Sequence, residues 1–247
     1  MFKSSNPAMK ENSFATLHEQ DFASSGKMTI AGTVNKTAIL LVLAVITGSV
    51  SWSMIHNNPA TGIPLIIGGF VGGLIFAIIT IFSKKTAFVT APAYALCEGL
   101  LLGAASYVYN AQSQGIAIQA AMLTFGVFAV MLVIYRLGII QVTQNFRIGI
   151  TAAIGGICLV YMMSLIMGMF GASVPLLHDT GPLGIGISLF IVAIAALSLC
   201  MDFDFIENAA AAGSPKYLEW YGAFGLMVTI VWLYLEILRL LSKLYRR

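Results

Sequence analysis

From about residue 37 onward the chain repeats one pattern: a long apolar run, then a short polar or turn-forming break. The runs fall at about 37–56, 62–83, 87–108, 115–136, 147–171, 183–203 and 216–241. Each reaches the ~20 apolar residues that a helix needs to cross a ~30 Å hydrocarbon layer. The breaks are Asn57-Asn58-Pro59, Ser83-Lys84-Lys85, Asn110 to Ser113, Gln141 to Asn145, and His178 to Pro182. Dyad alternation of the barrel kind is absent. The pattern therefore predicts an all-α integral membrane protein with seven transmembrane helices. It divides the chain into a polar N-terminal tail (1–35) and a single seven-helix domain (36–247), with no room between the spans for a soluble domain.

Composition agrees. Apolar residues make up 59% of the 247, and charged residues only 9%. A soluble domain of this size carries about 25% charged residues because its surface faces water, so lipid must be the solvent here. Residues 1–35 lack the short apolar core of a cleavable signal, and the first run reads as a permanent span.

Charge sets orientation. With the N-terminus in the cytoplasm, the inner segments hold Lys3, Lys10, Lys27, Lys36, Lys84, Lys85, Arg136, Arg147 and Lys216, and the outer loops hold no Lys or Arg. This is the positive-inside pattern. Seven spans then put the basic end (Arg239, Lys243, Arg246, Arg247) outside. Either the last helix crosses fully against the rule, or it enters and returns; its length favours the full crossing.

Paired glycines four apart (Gly68/Gly72, Gly69/Gly73, Gly99/Gly103) predict close helix packing in lipid. Cys97, Cys158 and Cys200 lie in apolar runs without CxxC spacing, as small core residues do. His18, His56 and His178 are scattered, and no HExxH, GxSxG or phosphate-binding glycine loop occurs. The chain is not expected to be an enzyme, to hold a cofactor or to bind nucleic acid.

Ionisable groups within spans are costly and therefore candidates for function. Glu98 stands about 13 residues past Lys85, roughly 20 Å deep. It must face the bundle interior, either as a proton- or cation-binding carboxylate or as a protonated carboxyl bonded to a neighbouring helix. Asp202, Asp204 and Glu207 close the sixth span. Asp202 and Asp204 are about 200° apart on a helix, so one can face inward as a proton or calcium site while the other forms an interfacial collar. Glu236 lies within the last span.

Several stretches together resemble the transmembrane Bax inhibitor motif family, in particular its bacterial YccA-like branch. They are SNPA near the start, APAYALCEGLLLG in the third span, FAVMLVIYR, TGPLGIGISLF, DFDFIE, and EWYGAFGLMVTIVWLYLEILRLL in the last. The resemblance implies seven helices with the last one central and wrapped by the other six, in a bacterial inner membrane. It also implies a calcium leak governed by pH, in which two aspartates on the sixth and seventh helices share a proton. The first of these maps onto Asp202 or Asp204. For the second, LYLE nominates Glu236. A hairpin turning at Gly213-Ser214-Pro215, with Pro215 opening the last helix, instead sets Asp202 opposite Gly225 or Leu226. The ungapped alignment puts Met227 at the second carboxylate position and frees Glu236 to pair with Arg239. Asp202, Asp204, Glu98 and Glu236 are thus the candidate pH-sensing and ion-binding residues, with Asp202 and Asp204 as a calcium site. The branch also suggests a regulatory partner of a membrane protease, whose handle is the polar tail; a secondary transporter is a third reading.

Overall fold

The computed structural model describes residues 26–170 and 181–246. The stretch SNPA, His18 and the rest of the tail before Gly26, together with His178 and Asp179, lie outside the described residues. Seven helices long and apolar enough to cross a membrane follow one another. They are α1 (Ile30–Asn57), α2 (Gly62–Phe82), α3 (Ala87–Gln112), α4 (Ile116–Arg136), α5 (Gln144–Met169), α6 (Pro182–Ala211) and α7 (Leu218–Tyr245). The expected spans are all present.

Local chemistry sets the helix ends. α1 begins seven residues before its apolar run because Thr29 caps it, accepting from the Gly32 N–H at 2.9 Å. Thr143 caps α5 in the same way, accepting from the Phe146 N–H at 3.3 Å. Gly213, at φ +67°, ends α6 in a Schellman motif. Its N–H donates to the Ala210 carbonyl (3.0 Å), and the Ser214 N–H donates to that of Ala209 (3.1 Å). Pro215 does not open α7. It lies in an antiparallel bridge with Lys27, flanked by Met28 N–H to Ser214 O (2.7 Å) and Lys216 N–H to Gly26 O (3.0 Å). The segment before α1 is thereby fastened to the α6–α7 turn.

α7 is the centre of the bundle. It packs on α1, α3, α4 and α6 and belongs to both apolar cores. One core gathers Leu199 and Phe203 of α6 with Leu233 and Leu238 of α7; the other gathers Leu40 of α1, Ala95 of α3, and Met227 and Val231 of α7. The ring is less even than the resemblance implies. α2 is layered outside on α3, while α5 leans mainly on α6. At 28 residues and 1.5 Å per residue, α7 is one unbroken helix about 42 Å long, long enough for a full crossing.

The glycine pairs explain the tightest contacts. A Cβ on Gly103 would strike the Gly48 backbone, and one on Gly99 would strike Ala44 and Thr47, so α1 and α3 meet backbone to backbone. Gly69 and Gly73 press α2 on α3 in the same way, and Gly72 faces the Cys97 sulfur. Gly68 has nothing within 4 Å and is not part of this face.

The seam between the sixth and seventh helices

The DFDFIE segment lies inside α6, and its two aspartates diverge as their angular separation predicts. Asp202 points to the central helix, where it meets Thr229 of α7. Its Oδ2 is fully buried and, among the described residues, receives no hydrogen bond. Asp204 turns outward to α5 and forms an ion pair with Arg147. Glu207 accepts from the Tyr135 hydroxyl of α4 at 2.6 Å. The three acids on this one helix thus address three different neighbours.

Glu236 is 2% exposed. It accepts from the Tyr161 hydroxyl of α5 (2.7 Å), the Trp232 Nε1–H (3.3 Å) and Arg239 (3.1 and 3.2 Å). The Arg239 guanidinium also donates to the Tyr161 hydroxyl and lies 4.9 Å from that ring's centre. A buried carboxylate with this many donors is fully satisfied. It is the i,i+3 partner of Arg239 and stands two turns, about 10 Å, from Thr229. Asp202 and Glu236 therefore do not form a pair. The residue facing Asp202 is Thr229, two positions beyond Met227, whose side chain is buried in the α1–α3–α7 core.

Glu98 belongs to a different interface. Its carboxylate fills the space over Gly73 of α2, where a Cβ would come within 2.7 Å of Oε1, and its other neighbour is Tyr94 one turn back. The structure brings none of the four candidate carboxylates into contact with another. Among the described residues no group of three or more His, Cys, Asp or Glu is placed to hold a metal ion. Asp202 and Asp204, the candidate calcium residues, diverge: one faces Thr229, the other Arg147.

Two further buried groups were not picked out as site residues from the sequence. Glu219, 1% exposed, sits in the first turn of α7 and accepts from the Thr29 N–H and hydroxyl, both at 2.9 Å, and from Lys36. Lys36 had looked like a topological charge; in the fold it lies under the bundle, 5.5 Å from the Trp220 ring centre. A signal did exist: α1 and α7 both start on the same side, so a Lys and a Glu in their opening turns come level. Lys243, read as part of a basic tail, is buried and donates to the Gly184 carbonyl (3.0 Å) and the Ser188 hydroxyl (2.8 Å) of α6. The small residues that open α6 leave room for its ammonium.

The profile of the Bax inhibitor 1 like family matches residues 6–246, nearly the whole chain. No curated protein and no solved structure matches. With a family profile spanning all seven helices of a membrane bundle centred on its last, the chain belongs to the Bax inhibitor 1 like family.

Proposed function

We propose that this chain is a proton-sensitive leak for small cations, calcium among them, and that Asp202 is its sensor. One observation carries the reading: a titratable carboxyl with a buried, donor-less oxygen lies on the face of α6 that meets the central helix. A polar group left unsatisfied in a low-dielectric seam is costly. Gain or loss of its proton therefore alters how α6 and α7 pack, which a gate requires. With Thr229, not a second carboxylate, facing Asp202, the site is a single acid. Calcium takes 6–8 oxygen ligands, so on this reading the ion passes Asp202 and does not settle there.

Beyond Asp202 along α7, the partly exposed Arg239 and the buried Lys243 oppose a divalent ion. On this reading the described arrangement is the closed one, and opening displaces them. The Lys and Arg count supports a cytoplasmic N-terminus, and the resemblance implies a bacterial inner membrane. A regulatory role beside a membrane protease has one observation in its favour. Because residues 26–28 are fastened to 214–216, a partner acting on the chain before Gly26 acts on the α6–α7 turn.

The test is calcium flux into liposomes bearing the purified chain, on either side of neutral pH. The expected result is a pH-dependent flux that Asp202→Asn renders insensitive to pH and Asp204→Asn leaves responsive. An unchanged pH response in Asp202→Asn removes Asp202 as sensor. No flux above protein-free liposomes, with the bundle shown folded, overturns the leak and leaves the regulatory reading.

A further inference from the structure

Away from the α6–α7 seam, a cavity of about 320 Å³ lies between α1, α3, α4 and α7. α1 and α4 form its two lips; both pack on α3 and α7. On α1 the lining runs from Leu41 to Trp52, which at 1.5 Å per residue makes a groove about 16 Å long. That matches about half of a ~30 Å hydrocarbon layer. The groove follows the membrane normal, from the start of α4 (Ala117) to mid-span on α7 (Met227).

Its walls are almost wholly apolar, and the few polar groups in them are already bonded. Ser106 and Tyr234 share a hydrogen bond (2.7 Å), Thr124 donates to the Ala120 carbonyl (2.7 Å) and Ser49 to that of Val45 (2.8 Å). A cavity without unsatisfied polar groups does not hold water. The lips carry exposed apolar side chains, Val45 on α1, Ile118 and Phe125 on α4, so it opens sideways into hydrocarbon.

The upper end is at headgroup level. Trp52 and Tyr107 stack edge to face there (5.3 Å between centres), the aromatic pairing favoured at a membrane interface. At the same end, Arg246, exposed, reaches Gln112 at the end of α3, and Tyr245 donates to Gln119 of α4, next to Ile118 of the groove. A cation thus stands at the same end of the bundle as the upper end of this apolar slot.

We infer that this groove is a binding site for one phospholipid of the leaflet on the α7 C-terminal side, its acyl chain against Leu102 and Tyr234 and its phosphate by Arg246. The lipid would lie on the central helix itself, and bilayer composition would reach the seam through α7.

The experiment reconstitutes the full chain in vesicles of phosphatidylglycerol and phosphatidylcholine, with a trace of phosphatidylglycerol bearing a photoactivatable group midway along one acyl chain. Mass spectrometry then maps the adducts. Adducts are expected on the groove floor (Leu102, Tyr234), in addition to outward residues of α5 such as Met162 and Met163, which any surrounding lipid reaches. Ala121→Phe, which fills the groove, should cut the floor adducts about tenfold and leave those on α5. Ser49→Phe at the opposite lip serves where Ala121→Phe fails to fold, and Arg246→Gln should lower floor labelling by the charged lipid more than by its phosphatidylcholine counterpart. Labelling confined to outward residues means an ordinary lipid shell only and overturns the site. So does floor labelling that a folded groove-filling variant leaves unchanged.

Discussion

Replacing Glu219 by Ala tests whether the clamp beneath the bundle holds α1 to α7. The carboxylate is 1% exposed and accepts from Lys36 and twice from Thr29, at 2.9 Å each. Its loss leaves the Lys36 ammonium without its partner in a site where that side chain is only 17% exposed. Breaking a buried pair by removing one partner costs about 3–5 kcal/mol. The remaining exposure of Lys36 lets water in and places the cost near the lower bound, about 3 kcal/mol. The Thr29 N–H also loses its acceptor, worth about 1 kcal/mol, though the Thr29 cap on Gly32 stays. Glu219→Ala is therefore expected to destabilise by about 3–4 kcal/mol. Adding Lys36→Met removes the stranded charge and should recover a large part of that loss. The assay is unfolding by denaturing detergent in mixed micelles, followed by circular dichroism and by the fluorescence of Trp220 beside the clamp. A Glu219→Ala protein within about 0.5 kcal/mol of the parent, or a double variant no better than the single, refutes the reasoning.

Four other outcomes follow from the same structure and are read in the same unfolding assay. Gly103→Ala drives a Cβ into the Gly48 backbone, which cannot yield as a side chain does, and should cost at least about 1–3 kcal/mol. Gly149→Ala on α5, with nothing within 4 Å, should be neutral or slightly stabilising. Arg239→Leu leaves the 2%-exposed Glu236 without its cation and should cost about 3 kcal/mol, whereas Arg147→Ala, which breaks a pair whose arginine is half exposed, should cost less than about 1 kcal/mol. Gly213→Ala forces a side chain to φ +67° and should cost about 1–2 kcal/mol, with the flux assay showing whether the altered turn also disturbs the seam.

The spans were legible because lipid imposes a length and a composition that nothing else in the chain satisfies. The spacing also marked Gly69, Gly73, Gly99 and Gly103, though Gly68 at the same spacing makes no close approach, and of the two readings of Glu236 the i,i+3 pair with Arg239 is the one found. Registers between helices were harder. The residue opposite Asp202 was expected at 225–227 and is Thr229, because Pro215 pairs with Lys27 and the first turn of α7 begins three residues later, at Leu218. That shift depends on a bridge to residue 27, nearly two hundred positions away, which local patterns do not encode. The burial of Lys243 was illegible for a related reason: a lysine near a span end looks the same whether its ammonium finds water or a partner helix.

The α6–α7 register also shows where a change of protonation can act. Ser188, Ala195 and Asp202 recur every seven residues on α6, as Thr229, Glu236 and Lys243 do on α7, and a seven-residue spacing keeps side chains on one seam. Lys243 bonds Ser188 at one end of it, and Asp202 meets Thr229 at the other. At the upper end the ammonium has two oxygen partners, and midway Glu236 has donors from Tyr161, Trp232 and Arg239. Only at the lower end does an oxygen appear among the buried polar atoms that lack a partner. A polar seam in lipid has no water to fall back on, so the least satisfied group is the one whose charge state most changes the helix contact. The seam is therefore fastened at its upper end and loose at Asp202, about 16 Å along α6 from the turn that also anchors the segment before α1. Movement should start there and spread upward along α7, with the Tyr161–Glu236–Arg239 cluster as the next contact to break.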